Sequence, residues 1–347
     1  MKGKKEYHKN EKTEQALKEI TERLEKGIEN LFDSERYKEY LRVMSKFHHY
    51  SFQNSVLIAL QRPDATYVAG LTSWNKNFKR NVLKGEHGIK IIAYAPRKVQ
   101  KKVTVIDPVT NMPILDKDGN PLTETKEIMI PDYKVAHVFD ISQTEGAELP
   151  NIASNLQTSV EQYQEIYDAV SGISPVPISF EPLAGEVHGY YSLTDKKIVI
   201  CEGMSELQTL KTTIHEIAHA KLHDIDVNAP KEEKDNLPDK FTREVEAESI
   251  AYTVCQHYGL DTSEYSFGYI AGWSTGRDMK ELKNSLQTIR DTASDIIDQI
   301  DEKLLGKEKN KTQDIKPSLV AEIQKIASEK SMEIKSQSKE IGHDIEL

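Results

Sequence analysis

The chain has 347 residues, 37% hydrophobic and 29% charged, with a formal net charge of −10 at pH 7. That length predicts two domains, and the low apolar content predicts that part of the chain is exposed helix or tail. The longest apolar runs, such as Ser55 to Leu60, are far too short to span a bilayer, and the charged N-terminus has no apolar stretch behind it, so no membrane span and no secretion signal are expected.

Two cysteines, Cys201 and Cys255, sit in separate apolar segments and read as reduced core residues of a cytoplasmic protein. The charge is uneven. Residues 1–100 carry 20 Lys+Arg against 12 Asp+Glu, a balance of +8, and the remainder carries −18. A basic first third on an acidic remainder suggests a polyanion partner for the first third.

In chain order, residues 12–32 predict an amphipathic helix, because Leu17, Ile20, Leu24, Ile28 and Leu31 follow spacings of three and four. A second helix is expected from Ser34 to Phe47 and a third from Ser51 to Gln61, stopped by Pro63. Strand-like pieces follow at Thr66–Gly70 and Gly88–Ala95. Between Lys76 and Lys102 the charged residues are nine basic ones and a single acid, Glu86, interleaved with Phe78, His87 and Tyr94 and preceded by Trp74. Basic side chains release counterions from phosphates and flat rings stack on unpaired bases, a mixture suited to single-stranded nucleic acid. The same residues also read as a core Trp74 and Phe78 under a solvated face. Residues 103–131, with Asp118-Gly119-Asn120-Pro121, predict an extended hairpin or insertion, Tyr133–Ile141 a strand, and Ser142–Pro150 a linker. The expected units are a first domain at 1–148, a second at 151–276, a long amphipathic helix at 277–305 and a charged, largely disordered tail at 306–347.

In the second domain, residues 156–171 read as helix, and Ile178–Phe180, His188–Ser192 and Lys196–Ile200 as strands. A helix capped by Ser205, with Gln208 three residues on, carries His215-Glu216-Ile217-Ala218-His219. Histidines four apart lie on one helical face, where one metal ion can take both imidazoles, and Glu216 is then placed to accept a proton from a water that the metal activates. H-E-x-x-H is a zinc-peptidase signature, although the five residues are a short pattern. A further helix follows the loop Asn228–Asp239. On it Glu244 and Glu248 share a side, and Glu246 points by helical phase to solvent. Glu244 is the expected third zinc ligand and Glu248 the carboxylate that orients a ligand histidine. The Glu-x-x-Ala-Glu spacing resembles the gluzincin pattern. His223 is a rival ligand, but it falls eight residues after His215 rather than ten, without the glycine that turns the chain in the longer motif. Three ligands with a base beside them describe an open, catalytic arrangement rather than a closed structural one. Finally, Met279, Leu282, Leu286, Ile289, Ala293, Ile296 and Ile300 step in threes and fours, a narrow seam expected to dock within the chain.

Taken together, Tyr50-Ser51-Phe52-Gln53-Asn54, Gln61-Arg62-Pro63, Val68-Ala69-Gly70, Trp74, Val82–Ile89, Val138–Thr144, Gly189-Tyr190-Tyr191, His215–His219 with His223, and Arg243–Tyr252 give a chain that resembles the ArdC-type antirestriction proteins of conjugative plasmids and integrative elements. The resemblance covers residues 10–275. It implies an α+β fold of two domains, a single-stranded-DNA-binding domain and a zincin-like metallopeptidase domain, which together shield an incoming DNA strand from host restriction. Trp74 is then expected to stack on bases, and Lys79, Arg80 and Lys84 to contact phosphates. Asn54 and Gln61 are expected as polar contacts or as satisfied core amides. The alternative is a zinc endopeptidase that cuts a host or element-encoded regulatory protein and uses DNA binding for targeting. Phe78-Lys79-Arg80-Asn81 departs from the pattern by lacking a glycine before the basic segment.

Overall fold

The computed structural model describes residues 11–108, 110–117, 119–148, 160–234, 237–260 and 267–311. Three helices open the chain: α1 (Glu11–Glu29), ending in a 3-10 turn at Asn30–Phe32, α2 (Ser34–Lys46) and α3 (Phe52–Gln61). Asp33 caps α2 by accepting from the backbone N–H groups of Glu35 and Arg36, and Ser51 caps α3 by accepting from that of Asn54. The predicted α1 seam is buried at Ile20, Leu24 and Ile28.

Then follow β1 (Val68–Gly70), α4 (Leu71–Lys76), β2 (Arg80–Val82), β3 (Ile89–Tyr94), β4 (Arg97–Thr104), β5 (Thr123–Ile130), β6 (Tyr133–Asp140) and β7 (Thr144–Gly146). Strands β1, β6 and β3 form an antiparallel sheet in that order, and β4 pairs with β5 as the predicted hairpin. β3 is an edge strand, and helix α3 seals that edge. The Asn54 amide accepts from Ile92 N–H and donates to Ile92 O, both at 2.9 Å. The Gln61 amide does the same for Lys90, at 3.0 and 2.8 Å. Unpaired edge groups invite pairing with another chain, and these two amides remove four of them.

The predicted linker is partly built into the fold. Ile141–Gln143 is a 3-10 turn, and β7 pairs with β2 in the register Arg80↔Gly146, Val82↔Thr144. Gly146 serves close approach here rather than flexibility, because a Cβ on it would meet Lys79 O at 2.6 Å. Lys79 itself sits at φ 53°, the left-handed turn that the sequence lacks a glycine to make.

Asp140 ties this corner together. Its carboxylate is buried and accepts from Thr66 N–H (2.8 Å), Tyr67 N–H (3.0 Å), Ser142 N–H (3.0 Å) and Ser142 Oγ–H (2.7 Å). Burial alone would raise its pKa, but these donors outweigh burial and hold it below the usual carboxylate range. A folded pKa below the unfolded value of about 3.9 means that this stabilisation is complete above that pH and is lost as pH falls through the folded value. Asp140→Ala strands three backbone N–H groups. It is expected to cost on the order of 3 kcal/mol in urea denaturation at pH 7, with the gap to wild type closing below about pH 4.

The second half contains α5 (Val160–Ser171), β8 (Ile178–Glu181), β9 (Gly189–Ser192), β10 (Lys197–Cys201), α6 (Glu206–Leu222), α7 (Lys231–Lys234), α8 (Lys240–His257), α9 (Ile270–Ser274) and α10 (Met279–Lys311). β10 lies between β8, to which it is parallel, and β9, to which it is antiparallel. α10 packs on α8 and α5, and Leu282, Leu286, Ile289, Ala293, Ile296 and Ile300 are buried. The seam docks within the chain, as its short length predicts. The helix runs to Lys311, past the expected end at 305, and the rest of the expected tail lies outside the described residues.

One cluster of buried side chains runs from Ile20 to Ile300, joining α1–α3 to α6, α8 and α10. Helix α2 lies against α8, where the Tyr37 hydroxyl and Ser249 Oγ are 2.8 Å apart. The fold is mixed α+β, as expected. No helix among the described residues is long and apolar enough to cross a membrane.

Candidate metal centre and basic groove

Helix α6 begins where Ser205 Oγ accepts from Gln208 N–H, and it follows the buried strand residues Ile198, Val199 and Ile200. One turn separates His215 from His219, and α8 crosses α6 with Glu244 and Glu248 facing them. His215 Nε2 and His219 Nε2 are 3.1 Å apart, and Glu244 Oε2 lies 3.6 Å from each. Donors held at about 2.05 Å around a tetrahedral zinc are about 3.3 Å from one another, so the spacing suits such an ion.

The remaining ring nitrogens are taken. His215 Nδ1 faces Glu248 Oε2 at 3.3 Å. His219 Nδ1 is 2.9 Å from His223 Nδ1, His223 Nε2 is 3.0 Å from Glu246 Oε2, and Ser285 Oγ donates to Glu246 Oε1 at 2.7 Å. One expectation is corrected here. Glu246 does not point to solvent but is 3% exposed, because α10 packs on α8 and brings Ser285 to the carboxylate. His223 stands behind His219 and outside the converging trio. The burial of Glu246 had no local signal, since it needs Ser285 of α10.

The charge of the site also fits a cation. Three carboxylates, Glu216, Glu244 and Glu248, surround two imidazoles. Burial pushes the Glu216 carboxyl up, against the pull of His215 and His219. Hydrogen bonds to His215 and His219 hold Glu244 well below the carboxylate range. Burial disfavours a charged His215, but Glu244 and Glu248 outweigh it and bring its pKa up to about 10.

A cavity of about 420 Å³, lined by His188, Gly189, Gln208, Thr212, His215, Glu216 and Glu248, opens beside β9, an edge strand. Gly189 permits this approach, because a Cβ there would meet Thr212 Cγ2 at 2.7 Å. Tyr191 is committed to structure, its hydroxyl donating to Asp224 at 2.6 Å, whereas Tyr190 is exposed.

The expected DNA-binding residues fare differently. Trp74 is corrected: it is fully buried, packs on Tyr67 and Phe78, and donates from Nε1 to Phe139 O at 2.8 Å, so no base can reach its ring. Asn54 and Gln61 are the edge-sealing amides described above. The guanidinium of Arg80 is spent on Thr144 Oγ1, Thr144 O and Ala147 O. Lys79 and Lys84 are exposed. Composition did not reveal a groove of about 630 Å³ between α1 and strands β3 and β6, lined by Lys12, Arg23, Lys90, Lys134 and His137 with one carboxylate, Glu19. On the same two strands Tyr94 and Tyr133 pair with ring centroids 5.7 Å apart, Tyr133 being half exposed. The groove residues come from three distant segments, so no single stretch announces them.

Fold and site define a mixed α+β protein with a two-helix His/His/Glu cluster and a basic groove. Residues 10–139 match the family described as the N-terminal domain of anti-restriction factor ArdC. It is 32% identical over 339 residues to an uncharacterized protein of Bacillus anthracis; the alignment takes in 88% of this chain and 55% of that protein, so the chain spans just over half the length of this relative. The metal-free crystal structure of the antirestriction ArdC protein from plasmid R388 superimposes with a TM-score of 0.43 at 18% identity, over 74% of this chain and 86% of that one. Its Mn(II)-bound structure gives 0.40 at 18%, over 74% and 85%.

Proposed function

We propose that the chain is a single-stranded-DNA-binding antirestriction protein of a mobile element, with a zincin-like, metallopeptidase-type second domain at about 151–276 behind a DNA-binding domain at 1–148. The observation that carries this reading is the convergence of His215 Nε2, His219 Nε2 and Glu244 Oε2, with Glu216 beside them, in a chain whose first domain is of the ArdC type. A zinc ion held by those three atoms would supply Lewis acidity, lowering the pKa of a water from about 15.7 to about 7. Glu216, beside those atoms, is the residue that would hold a water proton on its carboxylate and release it to a leaving amine. The edge of β9 offers backbone groups to an extended peptide, and Tyr190 a hydroxyl.

On the DNA side, the groove supplies Arg23, Lys90 and Lys134 for phosphates, and Tyr94 with Tyr133 supplies rings. Fluorescence anisotropy with short single strands should give an affinity that falls with salt. Removing one phosphate-binding side chain, as in Lys90→Ala or Lys134→Ala, should flatten the log–log slope by about 0.7. An affinity that ignores salt, or that is equal for an acidic control polymer, would count against DNA binding.

The competing reading, an endopeptidase that cuts a regulatory protein, is favoured by the cleft against β9. Glu216→Gln is expected to keep its zinc while any cleavage stops. Loss of protection from restriction in cells carrying that variant would favour proteolysis, and unchanged protection would favour coating of the strand.

A further inference from the structure

A second group of metal-type donors lies away from the α6–α8 centre. The turn after α2 places His48 and His49 side by side, their ring centroids 4.0 Å apart, against Asp298 of α10. His48 Nε2 is 3.6 Å and His49 Nδ1 3.8 Å from the same oxygen, Asp298 Oδ1. Both separations are too long for hydrogen bonds. His48 is 4% exposed, and among the described residues neither of its ring nitrogens has a hydrogen-bond partner. Buried polar atoms are nearly always satisfied, and an imidazole with both nitrogens unmatched beside a shared carboxylate oxygen calls for a cation.

The neighbouring groups are otherwise engaged. His257 packs its ring edge-on to His48 and donates from Nδ1 to Ser45 O at 2.9 Å, while its Nε2 faces Asp301 at 3.9 Å. Arg290 donates from Nη2 to His48 O at 2.8 Å and pairs through Nη1 with Asp291.

We infer that His48, His49 and Asp298 form a second divalent-metal site, of the class that takes zinc or cobalt. The ligand atoms lie within 4.8 Å of one another and need to close to about 3.3 Å. His49 and Asp298 have side chains 31% and 48% exposed, so they can make that adjustment, and solvent can complete the coordination. Two imidazoles and a carboxylate suit these ions better than magnesium or calcium, which prefer oxygen. The site would clamp the turn after α2 onto α10. It does not depend on the reading of the α6–α8 centre.

Equilibrium dialysis of the full chain against zinc, with metal counted per chain, tests this. Wild type should hold two ions, the His215→Ala/His219→Ala variant one, and that variant with His49→Ala added none. In the same background Asp298→Asn should weaken the remaining ion at least tenfold. Zinc should raise the Tm of the His215→Ala/His219→Ala variant, and that rise should vanish with His49→Ala. Circular dichroism establishes that each variant is folded, and both test positions are partly exposed. The inference is overturned if the His215→Ala/His219→Ala variant binds no zinc, or if its remaining ion survives His49→Ala and Asp298→Asn unchanged.

Discussion

Glu246→Ala is expected to weaken zinc binding by about 10–100-fold, although Glu246 is not among the three converging donors. With Nε2 of His219 given to the metal, its Nδ1 carries the hydrogen and donates to His223 Nδ1. His223 must then carry its own hydrogen on Nε2, which Glu246 accepts, while Ser285 donates to the other Glu246 oxygen. Each tautomer is set by the next group along, and the last is fixed by α10. Removing the carboxylate frees His223 to turn or to take the other tautomer, which would set N–H against N–H at His219. The stability cost follows from the charge state. Burial pushes the His223 pKa down, with Glu246 opposing, so the imidazole is neutral and the interaction is a charge-assisted hydrogen bond rather than a buried ion pair. The expected loss is therefore about 1.5–3 kcal/mol, not the roughly 3–5 kcal/mol of a broken buried ion pair. Chelator competition for zinc and urea denaturation read the two effects separately. Glu246→Gln keeps an acceptor oxygen and should recover much of the metal affinity. A Glu246→Ala protein with wild-type affinity would mean that His219 is oriented without this chain of hydrogen bonds.

What was legible in the sequence divides along the same line. The pairs His215/His219 and Glu244/Glu248 could be placed because a four-residue step fixes a shared face within one helix. The α10 seam was legible for the same reason. Glu246 was misjudged although its helical phase was right, because the phase says which way a side chain points and not what covers that side. The basic stretch around Trp74 shows a second limit. Composition counts rings and lysines but not their directions. A signal was present: Trp74 and Phe78 are four apart, an apolar pair, and they pack at 5.0 Å. Asn54 and Gln61, seven apart on α3, likewise share a face, and that face meets the edge of β3. The basic groove had no such signal, because Arg23, Lys90 and Lys134 meet only once α1 lies across β3 and β6.

Trp74→Ala and Tyr133→Ala should therefore behave in opposite ways. Trp74 fills the cluster it forms with Ala69 and Phe78, and its Nε1–H satisfies Phe139 O. Truncating it leaves a cavity and removes the hydrogen bond to Phe139 O, at a cost of about 3–5 kcal/mol, a large share of the stability of an ordinary domain. Any loss of single-strand affinity should follow the unfolded fraction and disappear where the protein remains folded, for example at low temperature. Tyr133 is 51% exposed and spans the pair with Tyr94. Its truncation should change stability by no more than about 0.5 kcal/mol, yet lower single-strand affinity by about 1–3 kcal/mol if one base stacks there. Thermal melts paired with anisotropy titrations separate the two. A folded Trp74→Ala protein that no longer binds DNA, beside a Tyr133→Ala protein that still does, would move base stacking to the Trp74 side of the sheet and require that cluster to open on binding.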